Sequence, residues 1–413
     1  MKNVAVIGYG VVGSGTVELF EKNRDSINAK VGRDCDIKYI VDLRDFPDSP
    51  FADRMVKDFN TVLEDDEIEV VAEVIGGINP AYTFTKQALE RGKSVVTSNK
   101  ELVANKGAEL LKVAHEHNCN YLFEASVGGG IPIIRPLNKC LAGNTIEQIS
   151  GILNGTTNFI LTKMIKEQLD FETALKMAQD LGYAEKDPTA DVEGHDACRK
   201  ICILGSLAYG KHIYPQNVHC SGISKITLDD VAYAENAGFA IKLIGSVKPA
   251  GDGKVSAIVC PRLVSKSNLL ATVDGVYNAI SVTGDGVGDV LFYGQGAGKL
   301  PTAASAVVGD IIDCLKHKDR SVMISWEDCH EEGYVVDYKS VETAMYVRIN
   351  AENADELKAS ISEMFGKLTY IERKNRPENE LAFITPTMVE SDIDANLAIL
   401  SHSAEIKSKI RLL

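Results

Sequence analysis

At 413 residues, with 45% hydrophobic and 25% charged, the chain has the proportions of a folded protein and exceeds what one hydrophobic core usually organises, so two or three domains are expected. Lys and Arg number 44 against 58 Asp and Glu, a net charge of −14 that repels nucleic acid phosphates and anionic headgroups and argues against DNA, RNA or membrane partners. No stretch approaches the ~20 apolar residues of a membrane span, the N-terminal apolar run is too short for a signal peptide, and the nine scattered cysteines suit free thiols, so a cytoplasmic location is expected.

Residues 1–135 alternate β-branched runs with amphipathic stretches. Strands are predicted at Val4–Ile7, Ile37–Val41, Val70–Ile75, Ser94–Thr97 and Tyr121–Glu124, and helices at Gly15–Asn23, Ala81–Arg91 and Lys106–His117. This rhythm calls for a doubly wound parallel sheet of the Rossmann α/β type, helices on both faces. From 136 to about 301 the pattern becomes α+β: a strand at Ile149–Leu153, helices at Asn158–Glu167, Phe171–Leu181 and Glu193–Tyr209, then β-like pieces at Lys242–Lys248, Lys254–Cys260 and Ala279–Thr283. Thr302–Lys316 has helical periodicity, and residues of about 302–320 are expected to complete the first domain. Polar His330–Lys339 reads as a linker. After it, Thr343–Asn350, Ala354–Phe365, Leu368–Glu372, Leu381–Thr385 and Ile393–Ser401 run strand, helix, strand, strand, helix, which suits a small ferredoxin-like unit over 343–413.

The first strand ends in Gly8-Tyr9-Gly10-Val11-Val12-Gly13, a GxGxxG turn entering a helix. Glycines there permit a tight turn, close approach of backbone to a pyrophosphate, and close helix–strand packing, so a nicotinamide dinucleotide is the expected cofactor. After the second strand comes Asp42-Leu43-Arg44-Asp45. An acid at this position favours NAD through the ribose hydroxyls and an arginine accommodates the 2′-phosphate of NADP; both are present, so the choice stays open.

Gly182–Lys200 packs Glu185, Asp187, Asp191 and Glu193 into a loop and then enters a helix on which Asp196 and Lys200 share a face. Taken alone this is an ordinary exposed pair. The stripe continues into Ile203 and Leu207, and Ala197, Ile201, Leu204 and Ala208 adjoin it, so Lys200 borders a surface expected to be buried, where a lysine becomes a usable general acid. The density of carboxylates suggests a ligand bearing an ammonium. Cys198 and Cys202 have no partner spaced to complete a tetrahedral metal site and read as core thiols. His195 points away from its neighbour Asp196 and is expected to be peripheral.

Six segments in order, Gly8–Gly13, Thr97–Lys100, Glu124–Pro132, Gly151–Asn158, Gly182–Lys200 and Gly294–Ala303, resemble the homoserine dehydrogenase motifs. The resemblance covers residues 1 to about 320. It implies hydride transfer between a nicotinamide coenzyme, NADP or NAD, and the substrate, so that aspartate 4-semialdehyde and homoserine interconvert, a step towards threonine, methionine and isoleucine. It implies Lys200 as the proton donor positioned by Asp196; Glu185, Asp191, Gly155 and Thr156 as substrate contacts; and Lys100 between nicotinamide and substrate. Cofactor contacts would come from Gly8, Tyr9, Gly10, Val11, Val12, Gly13, Arg44, Gly76, Lys100 and Gly298. A monovalent cation, Na⁺ or K⁺, would sit on Glu124, Val127, Gly129 and Ile131, mainly through backbone carbonyls. A homodimer, or a higher homo-oligomer, through the middle domain is also implied. Two rivals stand beside this: a related Rossmann oxidoreductase on another amino-acid carbonyl, and a silent nucleotide-dependent amino-acid sensor, against which the intact Asp196–Lys200 pair speaks. Residues 343–413 resemble an ACT domain, but the usual Asp-x-Pro-Gly turn is replaced by Asn350-Ala351-Glu352-Asn353-Ala354, which favours a structural or dimer-stabilising role over threonine sensing.

Overall fold

A computed structural model describes residues 2–296, 302–317 and 324–413. The chain divides into two compact units. Residues 1–146, 202–215 and 284–330 form the first, and residues 147–201, 216–283 and 331–413 the second.

The first unit opens with β1 (Lys2–Ile7), α1 (Val11–Lys22), α2 (Arg24–Val31), β2 (Cys35–Val41), β3 (Met55–Val56), the short α3 (Asn60–Leu63), β4 (Ile68–Glu73), α4 (Ala81–Glu90), β5 (Ser94–Thr97), α5 (Lys100–Glu116) and β6 (Tyr121–Leu122). The strands pair in parallel in the order β3-β2-β1-β4-β5-β6. Val4, Val6, Ile40, Val71 and Val96 are fully buried in it, as expected where helices cover both faces of a parallel sheet. The order reverses between β1 and β4, and ligands of such sheets bind outside the strands' carboxyl ends at that reversal. The strand expected at Tyr121–Glu124 stops at Leu122. Glu124–Ser126 is instead a tight 3₁₀ turn, because the Glu124 carboxylate collects the backbone N–H groups of Ile133, Ile134 and Arg135.

The second unit contains β7 (Ile146–Ile152), α6 (Gly155–Glu167), α7 (Phe171–Asp180), α8 (Thr189–Val192), the start of α9 (His195–Tyr209), β8 (His219–Cys220), α10 (Leu228–Asn236), β9 (Phe239–Gly251), β10 (Lys254–Ser265) and β11 (Tyr277–Gly284). The chain then re-enters the first unit as β12 (Gly288–Gln295) and α11 (Thr302–Lys316). Helix α11 packs on α1, α2, β4 and β5.

Back in the second unit follow β13 (Glu342–Thr343), β14 (Met345–Asn350), α12 (Lys358–Phe365), β15 (Thr369–Ile371), β16 (Glu380–Ile384), β17 (Met388–Val389), α13 (Glu390–Leu400) and β18 (Glu405–Leu412). Strands β14, β15, β16 and β18 make a β-α-β-β-α-β pattern, all antiparallel, in the order β18-β14-β16-β15; its last strand, β18, is not among the predicted elements. Its apolar face, with Val347, Ile349, Phe383, Ile361 and Ile393, forms a core of its own. β18 also pairs in parallel with β10, so one sheet runs β11-β7-β9-β10-β18-β14-β16-β15.

The stretch expected to be a linker is packed instead. Val255 donates its N–H to the Tyr334 carbonyl, Val336 donates to that of Val255, and the Tyr338 ring stacks on His219. Tyr334 is buried there, and backbone groups that pack against a strand take such partners whatever the composition around them.

Candidate active site

In the first unit, Gly8, Tyr9 and Gly10 turn the chain from β1 into α1, with Gly8 at φ +97°. A Cβ on Gly13 would stand 1.9 Å from the Gly8 carbonyl oxygen, so only glycine lets α1 lie this close to β1. A Cβ on Gly10 would meet nothing within 4 Å, which leaves open space beside the helix N-terminus formed by Val11 and Val12, where backbone N–H groups favour an anion. A cavity of about 450 Å³ is lined here by Gly8, Gly10, Asp42, Arg44, Ile75 and Phe84. These features fit a dinucleotide.

At the end of β2 the Asp42 carboxylate accepts the Tyr9 N–H at 2.7 Å and the Arg44 N–H at 2.9 Å. The Arg44 guanidinium donates to the same carboxylate at 3.0 and 2.9 Å and, with the backbone donors, holds it well below the usual carboxylate range. The Arg44 side chain is 64% exposed, so its outer face is open to solvent. After β4, Gly76 and Gly77 take φ of +89° and +72°. Lys100 is the first residue of α5 and half-buried, following the cap Asn99, whose Oδ1 accepts the Leu102 N–H at 3.0 Å. Gly298 lies outside the described residues.

In the second unit, Asp196 and Lys200 stand one turn apart on α9. Lys200 is 8% exposed, and its Nζ donates to Asp196 Oδ2 and to the Leu153 carbonyl, both at 2.7 Å. The desolvation expected from the stripe on α9 is therefore present. Asn154 joins this pair to the acidic loop. It caps α6 by accepting the Thr157 N–H at 2.8 Å, and its Nδ2 donates to Asp191 Oδ1 at 2.7 Å and Asp196 Oδ2 at 2.8 Å. Gly155 and Thr156 follow as the buried first residues of α6, with the Thr156 hydroxyl donating to the Tyr183 carbonyl at 2.7 Å. The second unit thus gathers Lys200, Asp196, Asp191, Gly155 and Thr156 around a side chain, Asn154, that sequence reasoning left out of the site. Its signal was its place before Gly155, where an asparagine caps a helix.

Glu185 is not drawn into this network. It is exposed, and its carboxylate makes no hydrogen bond or ion pair among the described residues. His195 is exposed, and Cys198 and Cys202 are buried, as their sequence context suggested.

In the loop after β6, Glu124 is buried and its carboxylate is filled by three N–H groups at 2.6, 2.8 and 2.9 Å. Val127 and Ile131 are buried and Gly129 has φ +64°. Among the described residues no group of three or more His, Cys, Asp and Glu is arranged to hold a metal.

Comparison with known proteins bears on the same segments. The homoserine dehydrogenase NAD-binding domain matches residues 8–124, and the homoserine dehydrogenase domain matches residues 132–312. The chain is 37% identical to the homoserine dehydrogenase of Bacillus subtilis, covering 99% of this chain and 98% of that protein. It is 44% identical to that of Neisseria gonorrhoeae over 76% of this chain and 72% of that protein. Among solved structures, a homoserine dehydrogenase from Thiobacillus denitrificans superposes with a TM-score of 0.89 at 34% identity, covering 100% of this chain and 98% of that one. A hyperthermophilic archaeal homoserine dehydrogenase mutant, in complex with NADPH, aligns with a TM-score of 0.64 at 30% identity, over 76% of this chain and 98% of that one. Similarity that spans nearly the full length of both chains places this protein in the homoserine dehydrogenase family, NAD(P)-dependent oxidoreductases.

Proposed function

We propose that Lys200 is the proton donor of this enzyme as aspartate 4-semialdehyde is reduced to homoserine, and the acceptor in reverse. The observation that carries this is a buried ammonium held by one carboxylate and one carbonyl, at 2.7 Å each, beside a helix N-terminus. The bound nicotinamide supplies or takes the hydride. As negative charge develops on the aldehyde oxygen, Lys200 stabilises it and delivers a proton, while Asp196 orients the ammonium. Asp191 and Glu185 hold the substrate ammonium, and Gly155 and Thr156 present the first turn of α6 to its carboxylate.

Gly8–Gly13 and Gly76 carry the dinucleotide, with Gly298 beside it, and Arg44 meets a 2′-phosphate by turning from Asp42. Lys100 keeps the role that the resemblance gives it, contact with nicotinamide and substrate. The carbonyls of Glu124, Val127, Gly129 and Ile131 take Na⁺ or K⁺. The chain works as a cytoplasmic homodimer or larger homo-oligomer in synthesis of threonine, methionine and isoleucine. Residues 1–135 with 302–320, 136–301 and 343–413 serve as nucleotide, catalytic and ACT-like domains, the last in a structural role.

The experiment is to incubate the protein with homoserine and NAD⁺ or NADP⁺ and follow the nicotinamide absorbance. Reduction of neither coenzyme would sink the activity; reduction that survives loss of the Lys200 ammonium would remove the proton assignment alone.

A further inference from the structure

Glu73 is a fully buried carboxylate at the carboxyl end of β4, beside the reversal of strand order, and the mechanism above does not use it. No lysine or arginine pairs with it among the described residues. A carboxylate without a countercharge is costly to bury and tends to be neutralised, and burial does push this one above its usual range. What opposes that is a set of donors. The Ile75 N–H reaches Oε1 at 2.8 Å, the Thr97 hydroxyl reaches Oε2 at 2.7 Å, and the Gly76 N–H and the Asn99 side chain also donate to it.

These donors come from two segments. Ile75 and Gly76 follow β4, while Thr97 ends β5 and Asn99 caps α5. The chain of bonds continues: the Asn99 N–H donates to Thr97 Oγ1 at 2.9 Å, and Asn99 Nδ2 donates to the Gly77 carbonyl at 2.6 Å. Asn99 is the cap of the helix whose first residue is Lys100. One carboxylate therefore fixes the glycines of the nucleotide loop against the start of the Lys100 helix, through bonds that polarise one another in series. A buried group kept only for stability has no need to bridge these two segments; an apolar residue would fill the space at lower cost.

We propose that Glu73 is a positioning residue that registers the Gly76–Gly77 loop against Lys100, and so sets both nucleotide affinity and turnover. This rests on the nucleotide and substrate roles given to Gly76 and Lys100.

The test uses the full-length enzyme with Glu73→Gln, Thr97→Val and Thr97→Ser, measuring kcat, nucleotide KM, nucleotide Kd by fluorescence titration, and Tm. Glu73→Gln puts an amide N–H₂ opposite the Thr97 hydroxyl, and Thr97→Val deletes that hydroxyl while keeping its shape. A lost hydrogen bond to a charged group corresponds to about tenfold. Each is therefore expected to raise nucleotide Kd and KM about tenfold and to lower kcat by a similar factor. The double variant is expected to add little, because the two residues share one bond, and Thr97→Ser should restore parental values. Parental nucleotide Kd and kcat, within about twofold, in Thr97→Val would overturn the proposal whatever its Tm, and this variant decides the matter if Glu73→Gln does not fold. Lys100→Ala separates the underlying reading: parental kcat in that variant would sink the role of Lys100, independently of what the Glu73 and Thr97 variants do to nucleotide affinity.

Discussion

Replacing Lys200 by Met keeps the length and apolar packing of the side chain on α9 while deleting the ammonium. Two hydrogen bonds at 2.7 Å disappear, and Asp196, 4% exposed, loses the ammonium beside it. Breaking a buried pair from one side costs about 3–5 kcal/mol. The Asn154 amide still donates to Asp196 Oδ2 at 2.8 Å, so the lower end of that range applies and the fold is expected to survive with a reduced Tm. The effect on turnover is larger: kcat should fall by about 10²–10⁴, the span of a lost general acid. Lys200→Arg should rescue little, because a guanidinium does not readily release a proton. Asp196→Asn should be milder, and combining it with Lys200→Met should add little to the loss of kcat, since the two act as a unit. The same double change should recover stability relative to Lys200→Met, because the charge that the Lys200 ammonium balanced is removed together with it. The assay is kcat for homoserine oxidation, with nucleotide Kd and Tm measured separately. A folded, nucleotide-binding Lys200→Met enzyme within about threefold of the parent rate would refute the reasoning.

Four other perturbations bear on parts of the chain away from Lys200. Arg44→Ala should raise KM for NADPH far more than for NADH, because only the former offers a 2′-phosphate; equal changes would remove Arg44 from coenzyme choice. Trp326, the single tryptophan, donates Nε1–H to His212 Nδ1 at 2.8 Å, and His212 Nε2 faces the Ala104 carbonyl at 2.9 Å, a pairing that requires the neutral ring. Burial lowers the pKa of His212, so its contribution to stability is full above the unfolded value of about 6.5 and is lost as pH falls from there through the lowered folded value. Tm followed by tryptophan fluorescence should drop over that acid window, less steeply in His212→Gln; identical slopes would show that another group titrates. Arg348, buried on β14, donates to Asp230 and Glu380 at 3.0 Å each, tying α10 to the C-terminal strands. Arg348→Met should cost about 3–5 kcal/mol in denaturant unfolding, and truncation after His330 should give an aggregating protein; a soluble truncated enzyme at parental Tm would show that the C-terminal residues are dispensable.

Much of the nucleotide-binding sheet was legible because its signals are local. A β-branched run followed by GxGxxG specifies a strand, a turn and a helix within a dozen residues, and the spacing of Asp196 and Lys200 follows from 3.6 residues per turn. Elements without a burial pattern left no such trace. In α2 only Ile27 is buried, and no residue of β12 is, so neither shows a period to read. The polar composition of 330–339 suggested a linker because composition does not reveal which backbone groups find partners. The Asn154 bridge lies 42 residues from Asp196, and Glu73 reaches Thr97 across 24 residues. Residue spacing alone settles which groups can share a helix face or a turn. Which distant side chains share a hydrogen bond, and whether a carboxylate such as Glu73 is buried among donors or left in solvent, follows only from the folded chain, because it depends on where separate segments are brought together and water is excluded.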